Sequence, residues 1–325
     1  MKHRLKPALR SAAIAILLAG PAFAAAQGYP VKPVTINNCY PAGGGVDRNL
    51  RAIEGPLGKI LGQTILPQYR TGAGGTLAMS EMKSATPDGY TLTICDNGGG
   101  IIAPIAQGLD MSANDFVPIA QITNTPWILV AHRSQPYKSV QELVAAARAK
   151  PGTPKASIAD IASSDHFTWL LFARAVKLPL TAFRYVPHGG GGPKMRAMLA
   201  GEAELDMLLA PLIIDHVKSG VIRPLGVTGT KRVAVFADVP TLRELGVDVV
   251  EGLSVVLYAP GKTPKAVVDT LRSAMDKVRA DAQFQDVYGK MGQDLDSFVP
   301  GAAFEAPWRA YWDNARSTLK ELTRK

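Results

Sequence analysis

Apolar and polar positions along the chain switch repeatedly between a period of two and a period near 3.6. The run KPVTINNCY (32–40) is β-type, and GVDRNLRAIEGPLGKIL (45–61) has apolar residues at helical spacing. GQTILPQYR (62–70) predicts a second strand and TGAGGTLAMSEMKSA (71–85) a second helix. TPDGY (86–90) is a turn punctuated by Pro and Asp-Gly, and YTLTICDN (90–97) a third strand. This βαβαβ order predicts a parallel sheet with right-handed crossovers.

FVPIAQITNTPWILVAH (116–132) reads as one long extended stretch, and SVQELVAAARAK (139–150) as a helix capped by Ser139 with a Glu three residues on. Strand, loop and helix recur in 154–176 and 181–201. Short strands follow at 204–211, 217–229 and 248–260, then helices at 263–284 and 304–325. Four glycine clusters, PAGGG, TGAGG, NGGG and HGGGG, each follow a strand-like run. Open α/β sheets bind ligands at the carboxyl ends of their parallel strands, so four clusters there predict a binding rim. Taken singly, each is a turn that needs positive φ.

Composition changes the picture at the N-terminus. Lys2, His3, Arg4, Lys6 and Arg10 precede the apolar 12–18, followed by small-x-small sites at 22–24 and 24–26. These are the three parts of a secretory signal, so residues 1–26 are expected to be removed on export. Cleavage would take away four of the nine net positive charges. The remaining moderate positive balance suits an exported protein handling anionic small molecules. No dense Lys/Arg run interleaved with aromatics occurs, which argues against nucleic acid. Two cysteines, Cys39 and Cys95, predict a disulfide in an exported chain. They end the first and third strands, which are neighbours in a doubly wound 2-1-3-4-5 order.

The glycines do not spell a nucleotide site. No cluster is followed by Lys-Ser or Lys-Thr, and GGGVDR has Arg48 where a dinucleotide fingerprint needs glycine. There is no H-E-x-x-H, C-x-x-C or G-x-S-x-G, so neither a metal nor a cofactor is implied. Ser163, Ser164, Asp165 and His166 adjoin, but a triad is assembled in space from separate segments. A glycine-rich loop entering a helix offers free N–H groups and the positive end of a dipole, which suits a carboxylate. Asp47, in that first turn, fits the dipole as a structural residue. Trp127, Phe167 and Trp169 could stack on an aromatic ligand, although large aromatics more often fill cores.

In order along the chain stand YPVKPVTINNCYPAGGGVDRNLR, LGQTILPQYRTGAGGTLAMSEMKSATPDGYTL, NDFVPIAQI, VPHGGGGPKMRAMLAGEAELDM, SGVIRPLGVTGTKR and DVPTLRELG. This sequence resembles the periplasmic solute-binding proteins of tripartite tricarboxylate transporters, the Bug family, over essentially the whole mature chain. The resemblance implies a two-domain periplasmic binding protein fold of type II-like α/β class. Each domain would be a mostly parallel sheet flanked by helices, with the ligand cleft between them. Domain I would hold 27–128 and 240–325, and domain II 129–239. The ligand loop after the first strand matches Tyr40, Pro41, Ala42, Gly43, Gly44, Gly45 and Asp47; Asn97 and Gly98, after the third strand, are further candidates on the same rim. The second domain would contribute Ser163, Ser164, His166, His188, Gly189, Gly190 and Asp206. His166 and His188 could be charge switches, or a helix cap and a packed loop residue. Asp160 and Asp165 depart from the family's glycine-rich loop and would repel an anion if they pointed inward.

The resemblance implies a non-enzymatic monomer in the periplasm that captures a small organic carboxylate and delivers it to membrane permease subunits. Two opposed rims suggest a dicarboxylate, aliphatic or aromatic, terephthalate for example. Two alternatives use the same scaffold: a sensory protein presenting its ligand to a receptor, and a secreted hydrolase using Ser163 or Ser164, His166 and Asp206.

Overall fold

The computed structural model describes residues 28–323; the expected export signal lies outside them. The first half runs β1 (Val34–Asn38), α1 (Gly45–Leu61), β2 (Ile65–Tyr69), α2 (Thr76–Ser84), β3 (Thr91–Asp96), α3 (Ala103–Ala106) and β4 (Phe116–Pro126). A π-helical turn, Gly98–Ile102, leads into α3. The second half runs β5 (Ile128–His132), α4 (Val140–Ala149), β6 (Lys155–Ile158), α5 (Ser164–Ala175), β7 (Arg184–Pro187), α6 (Gly191–Leu199), β8 (Leu205–Leu208), α7 (Ala210–Lys218) and β9 (Ile222–Val227). The chain then returns to the first half through β10 (Gly252–Pro260), α8 (Lys265–Ala280), α9 (Ala282–Lys290), β11 (Val299–Pro300) and α10 (Gly301–Thr323).

Local chemistry sets the element ends. α1 buries Val46, Leu50, Ile53 and Leu57, spaced at three and four residues, and stops at Gly62, whose φ of 66° is left-handed. Ser139 caps α4, its Oγ accepting from Glu142 N at 3.1 Å. The expected helix over 263–284 is two helices. Asp281 breaks it, with extended backbone and a side chain that accepts from Phe284 N to start α9.

Two sheets result, ordered β2-β1-β3-β10-β4-β11 and β7-β6-β8-β5-β9. Within each, β1, β2 and β3, or β6, β7 and β8, pair in parallel, and one reversed strand stands beside the third. The halves therefore share one topology, 2-1-3-reversed-4. The reversed strand is the one that has just crossed from the other half. This departs from a 2-1-3-4-5 order, while β1 and β3 are neighbours as expected. Helices cover both faces of each sheet. Val34, Ile36, Leu257, Leu271 and Met275 share one core, and Leu129, Ala156, Trp169 and Phe172 another.

The stretch 116–132 is two strands rather than one. It leaves the first sheet at Pro126 and enters the second at Ile128. Trp127 between them is clamped to Thr228, just after β9: Thr228 N donates to its carbonyl, and its own N–H donates to Thr228 Oγ1, both at 2.9 Å, while Thr228 O accepts from Glu251 N at 3.1 Å. Residues 241–249 lie with the second half, since Leu242, Val247 and Val249 pack with Leu129 and Trp169. The return crossing thus falls at Glu251–Gly252, later than the boundary at 239/240 read from the sequence. A third connection is made by packing. Phe167 and Leu170 of α5 enter the same cluster as Cys39, Cys95, Trp308 and Trp312 of the first half.

Candidate functional site

The carboxyl ends of β1 and β3 meet those of β6 and β8 at the seam between the halves. Contact there is close: a Cβ on Gly98 would stand 3.1 Å from Ser164 N. On the first-half side, the loop 40–44 is shaped from within. Asp47 Oδ2 accepts from Gly43 N at 2.8 Å and its Oδ1 accepts from Tyr69 Oη at 2.8 Å. Asp47 therefore fastens the loop to the start of α1. Gly43 has φ 83°, which favours glycine, and a Cβ on it would meet nothing within 4 Å. Gly44, at the α1 N-cap, makes no side-chain cap hydrogen bond, and a Cβ there would meet only Pro41 O, at 3.6 Å. Pro41, Ala42, Gly43 and Gly44 are exposed and Gly45 half-buried, so this backbone faces open space.

Cys39 and Cys95 are joined, their Cα atoms 5.4 Å apart, directly before the loops that begin at Tyr40 and Asp96. Two of the four glycine clusters belong to this bond rather than to an open rim. A Cβ on Gly75 would lie 2.9 Å from Gly99 Cα, and one on Gly99 2.9 Å from Cys95 Sγ. TGAGG and NGGG interlock around a buried disulfide and need glycine for close approach. Asn97 is buried and turned to the return crossing: its Nδ2 donates to Glu251 Oε1 at 3.0 Å and to Gly252 O at 3.1 Å. Burial pushes the Glu251 carboxyl up to about 8.

Tyr40 and Asp96 form a pair that the sequence did not single out. Tyr40 Oη donates to Asp96 Oδ1 at 3.0 Å, and Gly99 N donates to the same oxygen at 2.8 Å. Burial pushes the Asp96 carboxyl up to about 6, against those hydrogen bonds and with the charge of Asp165 adding to the rise.

The second-half side is built from side chains. Ser163 caps α5, and its Oγ lies 2.5 Å from Asp165 Oδ1. Asp165 points away from the seam loop into its own half. Its Oδ2 accepts from Ala159 N at 2.8 Å and from Lys194 Nζ at 2.6 Å. Lys194 Nζ also lies 2.7 Å from Asp206 Oδ1 and donates to Met207 O at 2.8 Å. All three charged groups are buried. Desolvation opposes ionisation of each. Lys194 overcomes it for Asp165, which stays below the usual carboxylate range, whereas Asp206 is pushed up to about 7. The repulsion expected from Asp165 is thus met by an ammonium ion, and Asp160 is exposed, accepting from Ile161 N.

His166 is a loop brace. Its Nδ1 accepts from Ala162 N at 3.1 Å, its ring sits edge-on to Tyr185, and burial lowers it to about 4. His188 is half-buried, with Nδ1 3.1 Å from Ser157 Oγ. The ring nitrogen that could have served a serine is bonded to backbone, and Asp206 is paired with Lys194, so Ser163, His166 and Asp206 form no relay. Ser164 is buried at the seam. Gly189 has φ 85°, and a Cβ on Gly190, the α6 N-cap, would meet nothing within 4 Å. Phe167 and Trp169 are fully buried in the core. Lys194 was missed because a lysine in a helix reads as solvated; four residues after Gly190, it faces β8. Among the described residues, no group of three or more His, Cys, Asp and Glu could hold a metal, and no helix is long and apolar enough to cross a membrane.

Residues 50–302 match the model of the tripartite tricarboxylate transporter family receptor. Protein BugT of Bordetella pertussis is 29% identical over 269 residues, covering 79% of this chain and 80% of its own. A Cupriavidus necator protein known from the gbd 5' region is 29% identical over 286 residues, 86% of this chain and 84% of its own. Among solved structures, a TctC solute-binding protein from Polaromonas superposes with a TM-score of 0.76 at 24% identity, over 90% of this chain and 99% of its own. MatC of Rhodopseudomonas palustris, solved with bound malate, gives 0.72 at 24% identity, over 90% of this chain and all of its own.

Proposed function

This chain belongs to the receptor family of tripartite tricarboxylate transporters, and from that premise we propose that it captures a small organic carboxylate in the cleft between its halves. The observation that carries the reading is open glycine backbone at the start of a helix in each half. Gly43 and Gly44 lie at the start of α1, Gly190 at the start of α6, and a Cβ on any of them would meet little or nothing. Oriented amides at a helix start hold a carboxylate without a paired Arg. Two such ends favour a dicarboxylate. Solved structures of this fold include one with bound malate and one with adipate. An aromatic diacid such as terephthalate belongs in the same test. Ligand sites are assigned to Tyr40–Gly45 backbone on one side and to the Ser163–Ser164 and His188–Gly190 segments on the other. Export to the periplasm and delivery to permease subunits complete the proposal.

Calorimetry with a diacid, its mono-ester and its diamide tests it. The diacid is expected to bind and the diamide to fail; equal binding by the diamide would sink carboxylate recognition. Gly44→Val should remove binding while the melting temperature holds. Gly44 has φ −77° and ψ 178°, a conformation any residue adopts, so only the approach to the amides is blocked.

A further inference from the structure

We propose that the buried cluster of Asp165, Lys194 and Asp206 stores a proton, so that capture of an anion at the start of α6 takes up a proton on Asp206 and weakens as pH rises. This rests on the receptor reading above and adds a regulation to its second rim.

The cluster is closed off from water. The side chains of Asp165, Lys194 and Asp206 are 2%, 3% and 0% exposed. Lys194 Nζ lies 2.6 Å from Asp165 Oδ2 and 2.7 Å from Asp206 Oδ1. Two carboxylates around one ammonium carry an uncompensated negative charge if both are ionised. Such a charge is expensive away from water, and a proton removes it.

The inventory of donors says which carboxyl keeps the proton. Asp165 accepts from Ala159 N at 2.8 Å and from Lys194 Nζ, with Ser163 Oγ 2.5 Å from its other oxygen. Asp206 has Lys194 and the hydroxyl of Ser157, which follows the Ala156–Leu205 pairing of β6 with β8. Among the described residues, no backbone N–H supports it, and its partner on β5 is the apolar Val130. The less supported carboxyl holds the proton, in keeping with its rise to about 7 through burial. His188 Nδ1 lies 3.1 Å from Ser157 Oγ, so hydrogen bonds lead from a half-buried ring to Asp206.

The cluster also stands directly behind an open rim. Gly190 is the N-cap of α6, and Lys194 comes four residues later, about 6 Å along the axis. An anion at Gly190 faces a neutral cluster when Asp206 is protonated and a negative one when it is not. At this range, with an effective dielectric of about 20, a unit charge moves a neighbouring pKa by about one unit. The other charged or titratable groups around the cluster are His188 after β7, Asp160 and His166 beside Asp165, and Arg196 on α6. Across the seam, Asp96 and Tyr40 interact with Asp165. Linkage gives the sign. A bound anion raises Asp206 further, so affinity is full below about 7 and falls as pH rises through the next unit.

The experiment is calorimetry on the full chain, using whichever of malate, adipate and terephthalate binds tightest. Affinity is expected to be about tenfold weaker at pH 9 than at pH 6, the equivalent of one pKa unit. At pH 7.5, titrations in buffers of different ionisation enthalpy should show uptake of about half a proton per ligand. Asp206→Asn makes the cluster permanently neutral and should abolish both the pH ratio and the uptake. Asp165→Asn leaves one carboxylate for one ammonium, which needs no proton, and should abolish them too. It decides the matter if Asp206→Asn does not fold. Binding by the native protein with a flat pH profile and no proton uptake would overturn this inference and leave the receptor reading intact. So would a ratio kept in both variants, or one lost in His188→Asn, since the proton would then lie outside the cluster. If none of the three probes binds at any pH, the receptor reading falls and this inference with it.

Discussion

The two loops that open the two halves occupy the same topological place, after the first strand of a 2-1-3-reversed-4 sheet and before its first helix. They are held by opposite means. The loop 40–44 is glycine backbone exposed to solvent and fastened by Asp47 through Gly43 N and Tyr69. The loop 159–163 is fastened by buried side chains: Asp165 takes Ala159 N, His166 takes Ala162 N, and Lys194 neutralises Asp165 from the neighbouring helix. The topology fixes where the loop lies and leaves open how it is held. A backbone-built rim can be read as a pattern of glycines. A side-chain-built rim depends on partners 29 and 41 residues from Asp165, which a local pattern does not reveal.

The sharpest way to break the comparison is Lys194→Met. It leaves Asp165 and Asp206 buried without their cation, and breaking such a pair costs about 3–5 kcal/mol. Urea denaturation should show a loss of that size, and adding Asp165→Asn and Asp206→Asn should recover part of it. Removing the staple behind the first rim by Cys39→Ala with Cys95→Ala should cost about 4 kcal/mol in the chain-entropy model, given their sequence separation of 56. A melting temperature equal to the native protein's would show that the interlocked glycines hold the loops unaided.

Glu251 links the first-half loop to the return crossing, and its carboxyl is raised from 4.5 to about 8. The folded state keeps a proton that the unfolded chain gives up above 4.5. Stability from this group is therefore full at low pH and falls as pH rises through the window from 4.5 to 8, by a few kcal/mol at most. Glu251→Gln should flatten that slope in a series of melting temperatures. His166 in the second rim acts in the opposite sense. Its folded value is lowered from 6.5 to about 4, so stability is lost as pH falls through that range. His166→Gln should remove this smaller acid-side loss; an unchanged acid limb would mean that the ring is solvated.

Most elements were legible along the chain. α1 runs over the 45–61 read from its spacing, β1 and β3 bring Cys39 to Cys95, and the glycine clusters follow β1, β2, β3 and β7. Periodicity, caps and glycine act over a few residues, so they are written locally. Tertiary structure alone decided which glycines face open space and which interlock around the disulfide. It also turned Asp165 inward to Lys194, brought Asp96 under Tyr40, and carried 241–249 to the second half. These outcomes depend on burial. A carboxylate's charge, partner and direction are set by what desolvates it, and that surface exists only once both halves have packed.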